Sequence, residues 1–136
     1  MENPRKQVEN IMLKEDDNTI LISSKDILLS IKKSEGNFTI KELKTNENVM
    51  STAAPLKIDS TKFYLNLTSS PKEYYYGGGV QNGRFCHKGH IIKIENENSW
   101  TDGGVASPTP FFWSTNGSGI MFHTFNKGIY DFDSKS

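Results

Sequence analysis

Cys86, His87 and His90 fall within five positions, and a thiolate with two imidazoles is a zinc-binding combination. A closed site needs a fourth donor, and only the fold could bring His123 to it, so ordinary loop or surface histidines and no metal are expected. Cys86 paired with a histidine as a nucleophile fares no better, because nothing nearby in sequence supplies an orienting group or oxyanion donors. Carboxylates working as a pair must flank a scissile bond at a fixed separation on a rigid frame. Glu95 and Glu97 share a strand face by spacing but read as a solvated edge, and Asp131 with Asp133 lies beside the end of the chain. No catalytic residue is assigned.

The run Tyr76-Gly77-Gly78-Gly79-Val80-Gln81-Asn82-Gly83-Arg84 invites comparison with a phosphate loop, whose bare backbone N–H groups approach an anion closely. It lacks a Gly-Lys-Ser/Thr ending, its spacing is not that of the dinucleotide fingerprint, and no amphipathic helix follows. A sharp bend between strands is expected instead, with Gln81, Asn82 and Arg84 able to hydrogen-bond a sugar. A second polar segment, Asn96-Glu97-Asn98-Ser99-Trp100-Thr101-Asp102-Gly103-Gly104, carries amides and carboxylates that match hydroxyls and an indole that can stack on a pyranose. Asn96, Asn98, Trp100 and Asp102 are its candidate contacts; the alternative is that Trp100 packs back onto a sheet.

Short strands must position these groups. Thr19 to Ser23 and Ile27 to Lys33 are rich in β-branched residues and lead through Ser34-Glu35-Gly36-Asn37 to Phe38–Leu43, which reads as a hairpin. Thr45 to Pro55 reads as a loop. Phe63, Leu65 and Leu67 alternate with polar neighbours as in a half-buried strand, and Ile91 to Glu95 is a further strand. Phe111-Phe112-Trp113-Ser114 and Ile120–Phe125 flank Thr115-Asn116-Gly117-Ser118-Gly119, the clearest hairpin, and Ile129 to Asp133 begins another strand. Residues 1–18 are polar, with a strand at Ile11 to Lys14. No helical stripe of comparable length competes, so the fold class is all-β, an antiparallel β-sandwich, expected to be incomplete.

Composition narrows the partners. In 136 residues, sixteen Lys plus Arg balance sixteen Asp plus Glu, and only Arg5 and Arg84 are arginines, which argues against nucleic acid. No apolar run is long enough for a membrane span. The single Cys86 forms no internal disulfide, and the polar start lacks the run of a signal peptide, so a cytoplasmic chain is expected.

The order of these pieces resembles the N-terminal β-sandwich, the galactose-mutarotase-like domain, of glycoside hydrolase family 31, which contains α-glucosidases and α-xylosidases. That pattern runs from an aromatic pair with Gly-Leu-Gly-Glu, through Lys-x-Gly and an Asn-x-Asp loop, to Pro-Phe-Phe and Gly-x-Gly. Here Tyr75-Tyr76-Gly77-Gly78-Gly79-Val80, Lys88-Gly89, Asn96-Glu97-Asn98 and Pro110-Phe111-Phe112 through Gly117-Ser118-Gly119 stand for it. Gly78, Val80 and Asn98 depart from the usual Leu, Glu and Asp. The wording of residues 77–85 and 100–111 resembles a branch with bacterial α-N-acetylgalactosaminidases and α-glucosyltransferases.

The resemblance implies a parent that cleaves or transfers an α-glycosidic bond with retention, through two carboxylates in a later (β/α)8 barrel. On that reading residues 19–136 are a partial N-terminal domain without the barrel, inactive alone and using no cofactor. Carbohydrate and a separately encoded catalytic barrel are the implied partners, and Asn96, Asn98, Trp100 and Asp102 form the loop at the mouth of the site. A stand-alone carbohydrate-binding module and a non-functional remnant are the alternatives.

Overall fold

The computed structural model of the chain describes residues 10–81, 83–95, 105–124 and 126–132. Among them every strand pair is antiparallel and no helix occurs, as expected for an all-β chain. Two units divide it, Met1–Thr68 and Ser69–Ser136.

The first unit is a meander. Strands β1 (Met12–Glu15), β2 (Thr19–Ser23), β3 (Ile27–Lys32), β4 (Phe38–Glu42) and β5 (Asn48–Ser51) lie side by side in sequence order. Polar turn chemistry sets the reversals. The Asp16 carboxylate accepts from the backbone N–H groups of Asn18 and Thr19, both at 2.8 Å, and these bonds hold its carboxyl below the usual carboxylate range. Ser24 Oγ does the same for Ile27 N–H at 3.1 Å. Asn46 takes the left-handed conformation, φ 59°, between β4 and β5.

Two sequence expectations are corrected in this unit. The span from Thr45 to Pro55 contains β5, because Asn48, Met50 and Ser51 find partners in Lys41, Ile40 and Thr39, with a bulge between Ile40 and Lys41. The alternation from Phe63 to Thr68 does not make one strand. Only Phe63–Tyr64 (β7) pairs, with Lys57–Ile58 (β6), and Leu67 forms an isolated bridge to Thr52.

In the second unit β8 (Tyr75–Gln81), β10 (Val105–Ser114) and β11 (Gly119–Met121) form one sheet in the order β11-β10-β8, and β9 (Ile91–Ile94) pairs with β12 (Gly128–Asp131). The turn from β10 to β11 closes with Gly117 at φ 82° and a bond from Ser114 N–H to the Ser118 carbonyl of 2.8 Å. Alternation builds the core. Ile92 and Ile94 point inward from β9 while Ile91 and Lys93 face out, and Phe112 and Ser114 are buried while Phe111 and Trp113 are exposed. Phe112, 2% exposed, joins the two sheets by packing with Ile92, Ile94, Tyr130 and Phe132. Its ring centroid lies 4.4 Å from Tyr130 and 5.0 Å from Phe132.

Candidate functional site: one end of the β8–β10 ladder

The glycine run is a strand rather than a sharp bend. Gly77, Gly78 and Gly79 have φ of 111°, 76° and 80° and nevertheless sit inside β8. Their partner strand explains it. Gly79 faces Pro108 and Gly77 faces Phe112, so Thr109, Pro110 and Phe111 of β10 oppose Gly78 alone. Prolines cannot donate to a ladder and are tolerated at bulges, where β10 takes up its extra length. The glycines let the strands close up: a Cβ on Gly77 would stand 2.4 Å from the Phe111 carbonyl oxygen, and one on Gly79 would stand 2.1 Å from that of Ser107.

Beyond the bulge the ladder ends at Gln81 opposite Val105. Both polar segments adjoin this end, residues 82–84 directly after Gln81 and residues 96–104 directly before Val105. The backbone register thus brings the roots of the two candidate saccharide segments to one place, although they are far apart in sequence. Asn82, Asn96, Asn98, Trp100 and Asp102 themselves lie outside the described residues. Arg84 is exposed, and among the described residues no partner holds its guanidinium.

After Gly83, at φ 71°, the chain returns along the free edge of β8, where His87 N–H donates to the Tyr75 carbonyl at 2.9 Å. His87 lies in the loop after β8, one of the two settings expected for it, but not at the surface. It is 1% exposed, with Nε2 at 2.8 Å from the Gly77 carbonyl oxygen and its ring edge-on to Phe112 and stacked on Phe132. That geometry makes Nε2 the donor and pins the return segment to the glycine strand. Cys86 is a half-buried free thiol, His90 is exposed, and no three His, Cys, Asp or Glu side chains among the described residues gather around a metal position.

Two carboxylates of the second unit are engaged structurally. Glu73, 5% exposed, accepts from Ser70 N–H at 3.1 Å, and Glu95 pairs with Lys127. The sheet also carries a feature that sequence reading passed over. Tyr76 stacks on Trp113 with centroids 4.7 Å apart and is flanked by Phe85 at 5.2 Å, an aromatic row crossing the outer face. The opposite burial of Phe112 and Trp113 on β10 was the available sign: adjacent aromatics in a strand face opposite ways. Tyr75, on the other face of β8, stacks on Phe132 at 4.8 Å, and burial raises its hydroxyl above the usual tyrosine range.

Comparison with known proteins bears on what such a domain belongs to. Solved structures share its fold: a GH31 dextranase of Flavobacterium johnsoniae complexed with isomaltotriose, at 23% identity and a TM-score of 0.80, is matched over 93% of this chain and 16% of that one. A cycloalternan-forming enzyme of Listeria monocytogenes in complex with a pentasaccharide substrate shows 16% identity and a TM-score of 0.75, over 92% of this chain and 13% of its own. A GH31 α-xylosidase from a soil metagenome complexed with xylose gives 15% and 0.71, over 94% and 22%. The chain therefore spans roughly a fifth or less of the length of these enzymes. No curated protein matches it. The model of the glycosyl hydrolase 31 N-terminal galactose mutarotase-like domain matches residues 1–131, and with nearly the whole sequence so matched, the chain belongs to that domain family.

Proposed function

We propose that the chain serves as the N-terminal domain of a protein acting on α-glycosides, lining the saccharide site with residues from the end of its β8–β10 ladder. The observation that carries this reading is the pairing of Gln81 with Val105, the residues that the two polar segments adjoin in sequence. The amides, carboxylate and indole that these segments carry in sequence suit a polyhydroxylated ring. The family membership and the saccharide complexes of the solved relatives support it. In this reading the domain shapes and binds, while the two carboxylates of a retaining mechanism come from another part of the protein. Of the family's branches we favour that of α-N-acetylgalactosaminidases and α-glucosyltransferases, on the wording of residues 77–85 and 100–111.

Saccharide titration followed by tryptophan emission tests the proposal, run in a Trp113→Phe background so that Trp100 alone reports. Millimolar binding is expected, together with no hydrolysis of aryl α-glycosides by the 136-residue chain, and Trp100→Ala, followed by calorimetry because it leaves this background without tryptophan, should abolish the binding. Turnover by that chain, or no response to any α-glycoside, would overturn it.

A further inference from the structure

Phe85 is 81% exposed, the most exposed of the large apolar side chains described. Aromatic rings dominate the burial energy of folds and interfaces, so a ring left this open in a fixed position calls for a use. It is fixed. Tyr76 lies between it and Trp113, at 5.2 Å and 4.7 Å, spacings close to that between neighbouring strands, and His87 two residues on anchors the return segment to β8. Tyr76 is covered by a ring on each side, and the free face of this end of the row belongs to Phe85.

We propose that Phe85 is the stacking platform of a saccharide subsite, a role that rests on the function proposed above and extends it along β8 to Tyr76. Two observations choose a pyranose over other occupants. The preceding residue is Arg84, exposed and unpartnered among the described residues, whose guanidinium offers several N–H donors to ring hydroxyls. An anionic surface or nucleic acid would need a basic patch, whereas the chain has no net charge and its only other arginine is Arg5. A pyranose has an apolar face of ring size and a rim of hydroxyls, which matches a single ring beside a donor fork.

The probe is isomaltotriose, titrated calorimetrically into the wild-type chain and into Phe85→Ala, Phe85→Leu, Phe85→Tyr and Trp100→Ala. Each variant is first checked for an unchanged thermal transition, which the exposure of Phe85 leads us to expect. Loss of the ring should weaken binding about five- to tenfold in both the alanine and the leucine variant, and tyrosine should restore it. Leucine keeps apolar bulk without a flat face, so its failure separates stacking from general hydrophobic contact. Binding by Phe85→Ala within twofold of wild type, with Trp100→Ala still defective, would overturn the role of Phe85 and leave the proposed function standing. A wild-type chain that binds no isomaltotriose would overturn the subsite, and one that binds no α-glycoside at all would remove the proposed function as well. Sedimentation showing a dimer that Phe85→Ala dissolves would make this face an interface between copies and refute the subsite.

Discussion

Three glycines with left-handed backbone allow the close approach of β8 and β10 to be separated from conformational strain. Gly79 (φ 80°) and Gly117 (φ 82°) have nearly the same dihedral, yet a Cβ on Gly79 would meet the Ser107 carbonyl oxygen at 2.1 Å and the Thr109 nitrogen at 2.7 Å, while one on Gly117 meets nothing within 4 Å. Gly89 (φ 76°) is equally open. Alanine at Gly117 or Gly89 should therefore cost only the left-handed penalty, about 1–2 kcal/mol. At Gly79 the strands must also part, loosening neighbouring ladder bonds worth about 0.5–1.5 kcal/mol each, so a total of about 3–4 kcal/mol is expected with two bonds affected. For a unit of this size the surplus of about 2 kcal/mol lowers the melting temperature of Gly79→Ala roughly 10 °C below that of Gly117→Ala. Urea unfolding followed by tryptophan emission measures all three, and all three residues lie in the second unit. Equal destabilisation of Gly79→Ala and Gly117→Ala would show that β8 and β10 do not approach as described.

Two further outcomes follow from the same unit. Phe112→Ala should cost about 3–5 kcal/mol, as for a buried aromatic whose site cannot collapse, and abolish the near-ultraviolet signal of the packed rings; a loss under 1 kcal/mol would mean that Phe112 does not join the sheets. Burial raises the hydroxyls of both Tyr130 and Tyr75 above the ordinary value, so their contribution to stability is complete below about pH 10 and is lost as pH climbs through the raised values. Tyr130→Phe should flatten that alkaline decline in urea midpoints measured from pH 8 to 11.5, and an unchanged slope would contradict the assigned cause.

Where one face of a strand is buried by its own neighbours, the sequence was legible. Ile92 and Ile94 alternate with Ile91 and Lys93 because β9 has an inside and an outside, and the reversal at residues 115–118 announces itself through Gly117. Strand β5 was hidden because Asn48-Val49-Met50-Ser51 carries no strong pattern of its own; its identity comes from a partner, β4, and a bulge. The glycine run misled for a related reason. Glycine signals freedom from a side chain, and only the prolines thirty residues on show that the freedom is spent on packing two strands together. His87 was read as an ordinary loop or surface histidine; it is in a loop, yet a carbonyl acceptor and aromatic walls let it be the most buried large side chain described. Of the candidate site, the residue types were readable and the pairing of Gln81 with Val105 was not, since register between β8 and β10 is a long-range property.

The strand orders of the two units also differ in how each can be assembled over time. In the five-stranded sheet every neighbour is the next strand in sequence, so each new strand closes a short loop at small entropic cost. The second unit interleaves its pairings: β8 waits for β10 across the intervening β9, and β9 has no ladder partner until residues 128–131 exist. Emerging from a ribosome, the meander can zip as it is made, while the glycine strand stays unpaired for some thirty residues of synthesis, and the ladder end at Gln81 and Val105 is among the last parts of the domain to take shape.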